Sequence, residues 1–392
     1  MPGTIPGIGH LFEKLEEVIN NKLIPALVGR PVSTHERKIL ELPVRYGGLG
    51  IINPSTSAMR EYNFSKEVTE QLTSLVYNQV LDVTQLNKTE VIEKKIQLKK
   101  KKEEYFQQQF VTLHQQANPK LKRHLDQARE RGASAWLTAL PLKSLNYVLN
   151  KQDFQDGIRL RYGWPIEGTP APRVCACGTE NSHYHALDCK LGGYVSMRHN
   201  SVRDTIAFFM KEANCKDVKV EPGMAPVNAS LYSSSTITQS DARLDISAIG
   251  VYSPFERSFF DIRVTHPNCA SNEYKHLNQI YQEHEKAKRS AYEERVLQAE
   301  KGSFVPLIFT TSGGMGPSSK ILLKRLVEKL SFLKKERTSI VMNHLRTRIR
   351  FAVLRSTLIA LRGNRGKINS DYISLEDVSL DILPNTRNYE MP

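Results

Sequence analysis

The sequence lacks long apolar runs and is short of acidic side chains, tryptophan and cysteine. No segment of the 392 residues offers about 18 successive apolar side chains, which argues against a transmembrane helix. The first residues also lack the basic-then-apolar pattern of a secretory signal. These absences predict a soluble protein of the nucleus or cytoplasm, with no membrane partner.

The shortage of acids leaves a large positive charge. Lysine and arginine number 55 against 41 aspartates and glutamates, so the formal net charge is +14 and the pI is near 9.4. Such an excess favours a polyanionic partner through counterion release, with nucleic acid ahead of an anionic membrane surface. The densest cluster is Lys99, Lys100, Lys101 and Lys102, which fits either a solvated helix face or a nucleic-acid contact.

The residue patterns predict a helical amino-terminal half and a mixed α/β carboxy-terminal half, α+β overall. Apolar spacing indicates that residues 1–90 are mostly helical around a glycine-rich turn at 42–50, and that residues 91–170 form a basic helical region. The second half reads as a helix at 198–212, strands at 218–221, 242–249 and 258–264, a helix from Tyr274, a strand at 304–311 and helices at 318–336 and 338–362. Residues 165–172 read as a linker, 229–239 as a flexible loop, and the tail from 367 to 392 as disordered.

Two of the predicted strands carry an acid in an apolar setting. Asp245 and Asp261 are costly to bury unless they are paired or bound to a cation. Because neighbouring strands lie about 4.8 Å apart, both carboxylates can converge on one divalent ion. Glu221 offers a third oxygen ligand. Ion pairing of these acids with Arg243 or Arg263 is the structural alternative.

The cysteines are odd in number, and three of the five lie close together with histidines. Cys175, Cys177, His185 and Cys189 follow the pattern CxC, seven residues, His, three residues, Cys. Three sulfurs and one imidazole suit tetrahedral Zn²⁺, although the CxC spacing is shorter than usual. His183 is the alternative nitrogen ligand, and a reduced cluster without metal is the alternative to a zinc site.

The strand sequences RLDISAIG and SFFDIRV, with Asp245 and Asp261, resemble the second and third motifs of the PD-(D/E)xK nuclease superfamily. The resemblance implies a core of one helix, three strands, a helix and a strand at 198–315, with carboxylates that hold Mg²⁺ or Mn²⁺. That family places a lysine two residues after the second acid, where this chain has Arg263. Arginine stays protonated, so it can grip a phosphate oxygen but cannot act as a general base.

The departure resembles the restriction-like endonuclease of R2-type retrotransposons, in which the lysine moves to the following helix as lysine, three residues, tyrosine. Lys288-Arg289-Ser290-Ala291-Tyr292 matches this pattern, which implies a catalytic role for Lys288, with Lys286 as the substitute. The cysteine motif at 171–197 is similar to the CCHC element of those proteins. Arg198-His199-Asn200 is similar to the RHN that opens their nuclease helix, and the resemblance implies nucleic-acid contacts by Arg198 and His199.

The amino-terminal phrase IPALVGRPVSTHERKILELPVRYGGLGIINP resembles the reverse transcriptase thumb of the same elements. The sequence has no aromatic-x-Asp-Asp turn, so no polymerase activity is expected of this chain. The resemblance implies a non-LTR retrotransposon endonuclease that nicks target DNA for target-primed reverse transcription, with the element RNA and the missing polymerase portion as possible partners. Helices at 316–366 close the core, and Asp204 is a weaker candidate acid. The alternatives are an inactive or domesticated nucleic-acid-binding protein and a purely structural protein.

Overall fold

The computed structural model describes residues 5–79, 88–166, 168, 174–180 and 182–363. Its α-helices are α1 (Glu13–Val18), α2 (Ile24–Val28), α3 (Thr34–Glu41), α4 (Pro54–Tyr77), α5 (Lys88–Gln116), α6 (Pro119–Arg129), α7 (Ala135–Thr138), α8 (Lys151–Tyr162), α9 (His183–Asp188), α10 (Tyr194–Glu212), α11 (Leu277–Arg295), α12 (Pro317–Lys334) and α13 (Thr338–Arg362). Its strands are β1 (Lys216–Val220), β2 (Ile246–Ile249), β3 (Arg257–Thr265) and β4 (Ser303–Thr310). None of the helices in the described ranges combines the length and apolarity needed to cross a bilayer.

The amino-terminal half is helical because capping residues begin its helices and the apolar faces of these helices pack into a common core. Ser33 accepts the amide of Glu36 while the Glu36 carboxylate accepts the amide of Ser33, a capping box that begins α3. The glycine-rich turn that follows is structural, since a Cβ on Gly48 would lie 1.9 Å from the carbonyl oxygen of Leu42. This turn packs with α2, α5, α6 and α8 around a core that includes Ile158.

The carboxy-terminal half is built on one four-stranded mixed sheet in the order β1-β2-β3-β4. The first three strands are antiparallel neighbours, and β4 runs parallel to β3. A parallel neighbour needs a crossover, which α11 supplies between β3 and β4. The predicted mixture of helices with a mixed sheet is therefore confirmed.

The two faces of β3 enter different surroundings. Phe260 and Ile262 point into the main core beneath α10, α12 and α13, whereas Phe259 joins a smaller core on the other face with Val296. The period of two in a strand places Asp261 on the same face as Phe259. That face is the one covered by α11, so α11 brings its side chains to the acid.

α13 joins the two halves of the molecule. Leu345, Ile349 and Val353 pack into the core of the sheet, while Leu354 and Leu358 pack into the helical core. One continuous helix therefore contributes side chains to the cores of both halves.

Several predicted boundaries move. β2 begins at Ile246 instead of Ala242, because the regular ladder to β3 breaks at Asp245. The proposed division at residue 90 falls inside α5. The 229–239 loop is tied to α11, since the amide of Ile237 donates to the Ala291 carbonyl at 2.7 Å. Most of the 165–172 linker and the 367–392 tail lie outside the described residues.

Candidate active site and metal centre

Asp245 lies where β2 and β3 diverge. The strand pairing is regular up to Ile246 and Phe260. Beyond that pair the amide of Asp245 donates to the Phe260 carbonyl at 3.0 Å, while the amide of Ile262 donates to Asp245 Oδ2 at 2.5 Å. The carboxylate thus takes the place of a backbone acceptor, which fixes its orientation at the end of the strand.

Asp261 is the most enclosed acid of the site. Its residue is 6 % exposed, and its Oδ2 lies 2.5 Å from Nζ of Lys288 on α11. Burial raises the pKa of Asp261 to about 6, because the cation of Lys288 offsets only part of that effect and the Asp245 carboxylate adds to it. Lys288, the lysine that the resemblance singled out, thus lies against an aspartate, and its catalytic role stays a prediction.

The second cation of the site is His199 on α10. Its Nε2 lies 3.1 Å from Asp245 Oδ2. Burial alone would raise the pKa of Asp245, but the hydrogen bond and charge of His199 outweigh it and hold that pKa below its ordinary value. Burial likewise lowers the pKa of His199, yet the contact with Asp245 leaves it raised. Two carboxylates therefore face a lysine and a histidine in a half-buried site.

The sequence resemblance assigns His199 to nucleic-acid contacts and does not predict its pairing with Asp245. Its neighbour Arg198 is 1 % exposed and donates from Nη2 to the Leu187 carbonyl at 2.9 Å. The guanidinium of Arg198 therefore lies inside the protein, and the structure gives no support to its predicted contact with nucleic acid. The signal that could have identified His199 is its position near the start of α10, the helix that directly precedes the first strand of the sheet.

Two other candidate acids direct their carboxylates to an arginine instead of to the aspartate pair. The Glu221 side chain is half-exposed, and both Glu221 and Asp204 pair with the same guanidinium, that of Arg203. In the searched ranges of the chain, Glu221, Asp245 and Asp261 do not form a group with ligand atoms within 4.8 Å of one another. The structure therefore brings together two predicted carboxylates and leaves the third aside.

The remaining basic candidates differ in their surroundings. Arg263 is exposed, and its charge adds to burial in lowering the pKa of His284 to about 4. Because His284 and Lys288 lie one turn apart on α11, Arg263 occupies the same side of the sheet as the aspartates. Lys286 is exposed and makes no contact with either aspartate.

The lysine run on α5 is largely engaged with acids. Lys101 lies 2.8 Å from Glu67 on α4 and Lys102 lies 2.9 Å from Glu61. Lys100 is within 3.9 Å of Glu104 in the next turn, and Lys99 adds its charge beside Glu103. These contacts link the α4–α5 pair and reduce the positive charge that the run offers to a polyanion.

A second group of ligand-type side chains lies before α10. The thiol sulfurs and imidazole nitrogen of Cys175, Cys177, His185 and Cys189 all lie within 4.8 Å of one another. The sulfurs of Cys175 and Cys189 are 3.8 Å apart, and Sγ of Cys177 is 3.3 Å from Nε2 of His185. Tetrahedral zinc with bonds of about 2.3 Å to sulfur and 2.0 Å to nitrogen places sulfurs about 3.8 Å apart and sulfur and nitrogen about 3.6 Å apart. The four residues therefore form a set that can bind a metal such as zinc.

Local backbone turns place the four ligands together, and the alternative ligand His183 is not part of the set. The amide of Cys175 donates to the Thr179 carbonyl at 2.9 Å, and Gly178 closes the turn at φ +87. Ser182 accepts the amide of His185 and so begins α9. His183 is not in the group, and burial beside Tyr184 lowers its pKa to about 4.

Neither the models of known protein families nor the curated proteins match this chain. Its chemistry must therefore be argued from the two clusters themselves. One is a pair of aspartates with a lysine and a histidine at diverging strands, and the other is a Cys3His set immediately upstream of the helix that supplies the histidine.

Proposed function

We propose that the chain is a metal-dependent DNA endonuclease of the PD-(D/E)xK type, corresponding to the nuclease region of an R2-like non-LTR retrotransposon protein. The observation that carries the proposal is the 2.5 Å contact between Lys288 and Asp261. The lysine comes from α11 and not from β3, as the displaced lysine of those enzymes does. A buried carboxylate also favours such a contact as a structural ion pair, so the role of Lys288 has to be separated from its pairing by experiment.

The two aspartates fit a hydrated magnesium ion. Mg²⁺ is commonly bound by one or two carboxylates together with water and substrate phosphates, so Glu221 is not required. Burial is the main cause of the raised pKa of Asp261, and the repulsion from the Asp245 carboxylate adds to it; a cation between the two acids relieves this repulsion. The bound ion would polarise the phosphate and help to generate hydroxide at neutral pH.

The surrounding side chains have separate roles in this proposal. Lys288 is held by Asp261 on one side, and it orients the attacking water or stabilises charge that develops on the scissile phosphate. Arg263 is exposed on the same face and grips a phosphate oxygen. His199 keeps Asp245 ionised and oriented, which makes it a positioning residue.

The product would be a nick with a 3′ hydroxyl, which serves as the primer for reverse transcription in the intact element. The Cys3His set, immediately upstream of α10, would hold zinc and stiffen the entry to the nuclease core. The helical half, packed on α13, would hold the thumb-like segment against this core.

Nicking of a supercoiled plasmid tests the proposal directly. The purified chain should convert supercoiled DNA to the open circle with Mg²⁺ or Mn²⁺ and not without added divalent ion. The matched control is Asp241→Asn, an exposed aspartate without a partner in the described ranges, which should nick as the wild type does. Nicking that persists in Asp261→Asn would reject the site.

The alternative is a nucleic-acid-binding protein without catalysis. Two observations favour it: Arg263 occupies the position of the usual lysine, and Glu221 is engaged by Arg203. A chain that binds DNA but leaves the plasmid supercoiled under every divalent ion tested would support this alternative.

A further inference from the structure

An open groove between α12 and α13 collects positive charge away from the aspartate pair. It has a volume of about 630 Å³ and is lined by Lys324 of α12, Arg346 of α13 and Arg131 from the turn after α6. Both helices pack on the face of the sheet that holds Phe260, whereas Asp261 lies on the other face. The groove is therefore separate from the candidate active site.

Among the described residues, no carboxylate lies within ion-pair distance of the three cations. In the described part of the chain, Arg131, Lys324 and Arg346 make no ion pair or hydrogen bond. The acid that lines the groove is Glu328, and its carboxylate already lies 3.3 Å from Arg325. The groove therefore presents three cations and one acid, an excess of positive charge that favours an anionic ligand.

The two arginines repel each other in a position that the fold maintains. Burial and the neighbouring charge of Arg131 lower the pKa of Arg346. The stem of Arg346 is held over the turn at Gly132, since a Cβ added there would lie 3.6 Å from its Cγ and Cδ. Gly132 has φ +100, a conformation that favours glycine and places Arg131 beside Arg346. An anion between the two guanidinium groups would remove the repulsion.

The start of α13 adds neutral donors to the same groove. Thr338 and Ser339 line it, and this 25-residue helix has no acid in its first turn and no side-chain cap. A helix start with hydroxyls and no acid, combined with the three cations, favours an oxyanion of the phosphate class.

We propose that the α12–α13 groove binds the sugar-phosphate backbone of a nucleic acid. A groove of this volume with cations from three separate segments is too large and too open for one free phosphate, and it suits a continuous chain of phosphates. The proposal deepens the proposed function, because it takes nucleic acid as the partner and names the surface that holds it. It also places the contact away from the lysine run, whose charges are largely paired.

The test compares two triple variants with the same change in charge. R131Q/K324Q/R346Q removes the groove cations, and K94Q/K101Q/K102Q removes three lysines that already pair with glutamates. Binding of a fluorescein-labelled 20-base-pair duplex is measured by anisotropy across a NaCl series, without added divalent ion so that no strand is cut. Omitting a chelator keeps the Cys3His set intact.

At about 0.9 per phosphate contact, the groove variant should lower the slope of log K against log [NaCl] by about 2.7. This corresponds to a loss of affinity of about 500-fold at 0.1 M salt relative to 1 M. The paired-lysine variant should change the slope by less than about 1. R131Q alone, at an exposed position, should lower it by about 0.9 and covers the case in which the triple variant does not fold.

Several results would overturn the proposal that the groove binds nucleic acid. Equal losses in the two triple variants would mean that only net charge matters. Displacement of the duplex by poly-glutamate as readily as by unlabelled DNA of equal charge would assign the groove to an acidic protein. If the groove variant loses DNA binding as expected but the wild-type chain never nicks plasmid, the groove proposal is supported and the nuclease proposal is rejected. If the wild-type chain nicks plasmid and the groove variant binds the duplex as the wild type does, the nuclease proposal is supported and the groove proposal is rejected.

Discussion

Neutralising the most enclosed acid of the site should stabilise the protein while removing its proposed activity. The pKa of Asp261 rises from 3.8 to about 6 on folding, chiefly through burial. The folded chain therefore binds more protons than the unfolded chain between these values, and stability falls as pH rises through that window. The cost of ionised Asp261 is about 1 kcal/mol at pH 4.5 and about 3 kcal/mol at pH 7.5. Asp261→Asn removes this dependence, and the pKa of about 6 already includes the contact with Lys288.

Urea unfolding at the two pH values gives the measurement. The difference in unfolding free energy between Asp261→Asn and the wild type should grow by about 2 kcal/mol in favour of the variant from pH 4.5 to pH 7.5. Taking the change with pH cancels effects of the substitution that do not titrate, such as altered packing. Asp241→Asn, at an exposed position, should change by less than about 0.5 kcal/mol at both pH values. A difference that is constant with pH, or that shrinks as pH rises, would refute the burial of an ionisable Asp261.

Two further predictions follow from the clusters. Asp245→Ala or Asp261→Ala should abolish Mg²⁺-dependent nicking and leave DNA affinity unchanged or higher, since each removes a negative charge from the proposed active site; wild-type nicking in either variant would contradict this. Elemental analysis should find one zinc per chain in protein purified without chelator, and His185→Asn should weaken that binding, whereas the same change at His183 should not.

The sequence predicted the elements better than it predicted their contacts. The helix, three strands, helix and strand are in the expected order because period-two and period-3.6 patterns are local properties of the chain. The faces of β3 were also predictable, and Asp261 lies on the face opposite Phe260 as alternation requires. The early start of β2 was wrong, because alternation cannot reveal that the Asp245 carboxylate captures the Ile262 amide and ends the ladder.

Long-range partners account for the rest. Arg198 and Glu221 were plausible surface or metal residues until the fold buried the first and paired the second with Arg203. The run of lysines on α5 looked like the main basic surface, but α4 returns alongside it with matching glutamates. Arg131 and Arg346 are more than 200 positions apart in the sequence, so no local pattern could place them in one groove.

The displaced lysine decides between an active nuclease and a binding protein, and α11 offers a matched control for it. Lys288 and Lys286 are two residues apart, and a helix turns such residues to different sides. Lys288 accordingly meets Asp261, whereas Lys286 is exposed. Lys288→Gln should reduce the nicking rate by about 10²–10³-fold, the usual loss when one preorganised group that stabilises developing charge is removed.

Lys286→Gln removes the same charge from the same helix and should leave the rate within about threefold of the wild type, because exposed substitutions are nearly neutral. Duplex affinity without added divalent ion should be alike in the two variants, which separates a catalytic defect from weaker binding. Equal nicking by both variants would mean that the contact between Lys288 and Asp261 is only an ion pair within the fold. Since nothing else in the described site offers an ammonium at the aspartates, the protein that binds nucleic acid without cutting it would then be the better account.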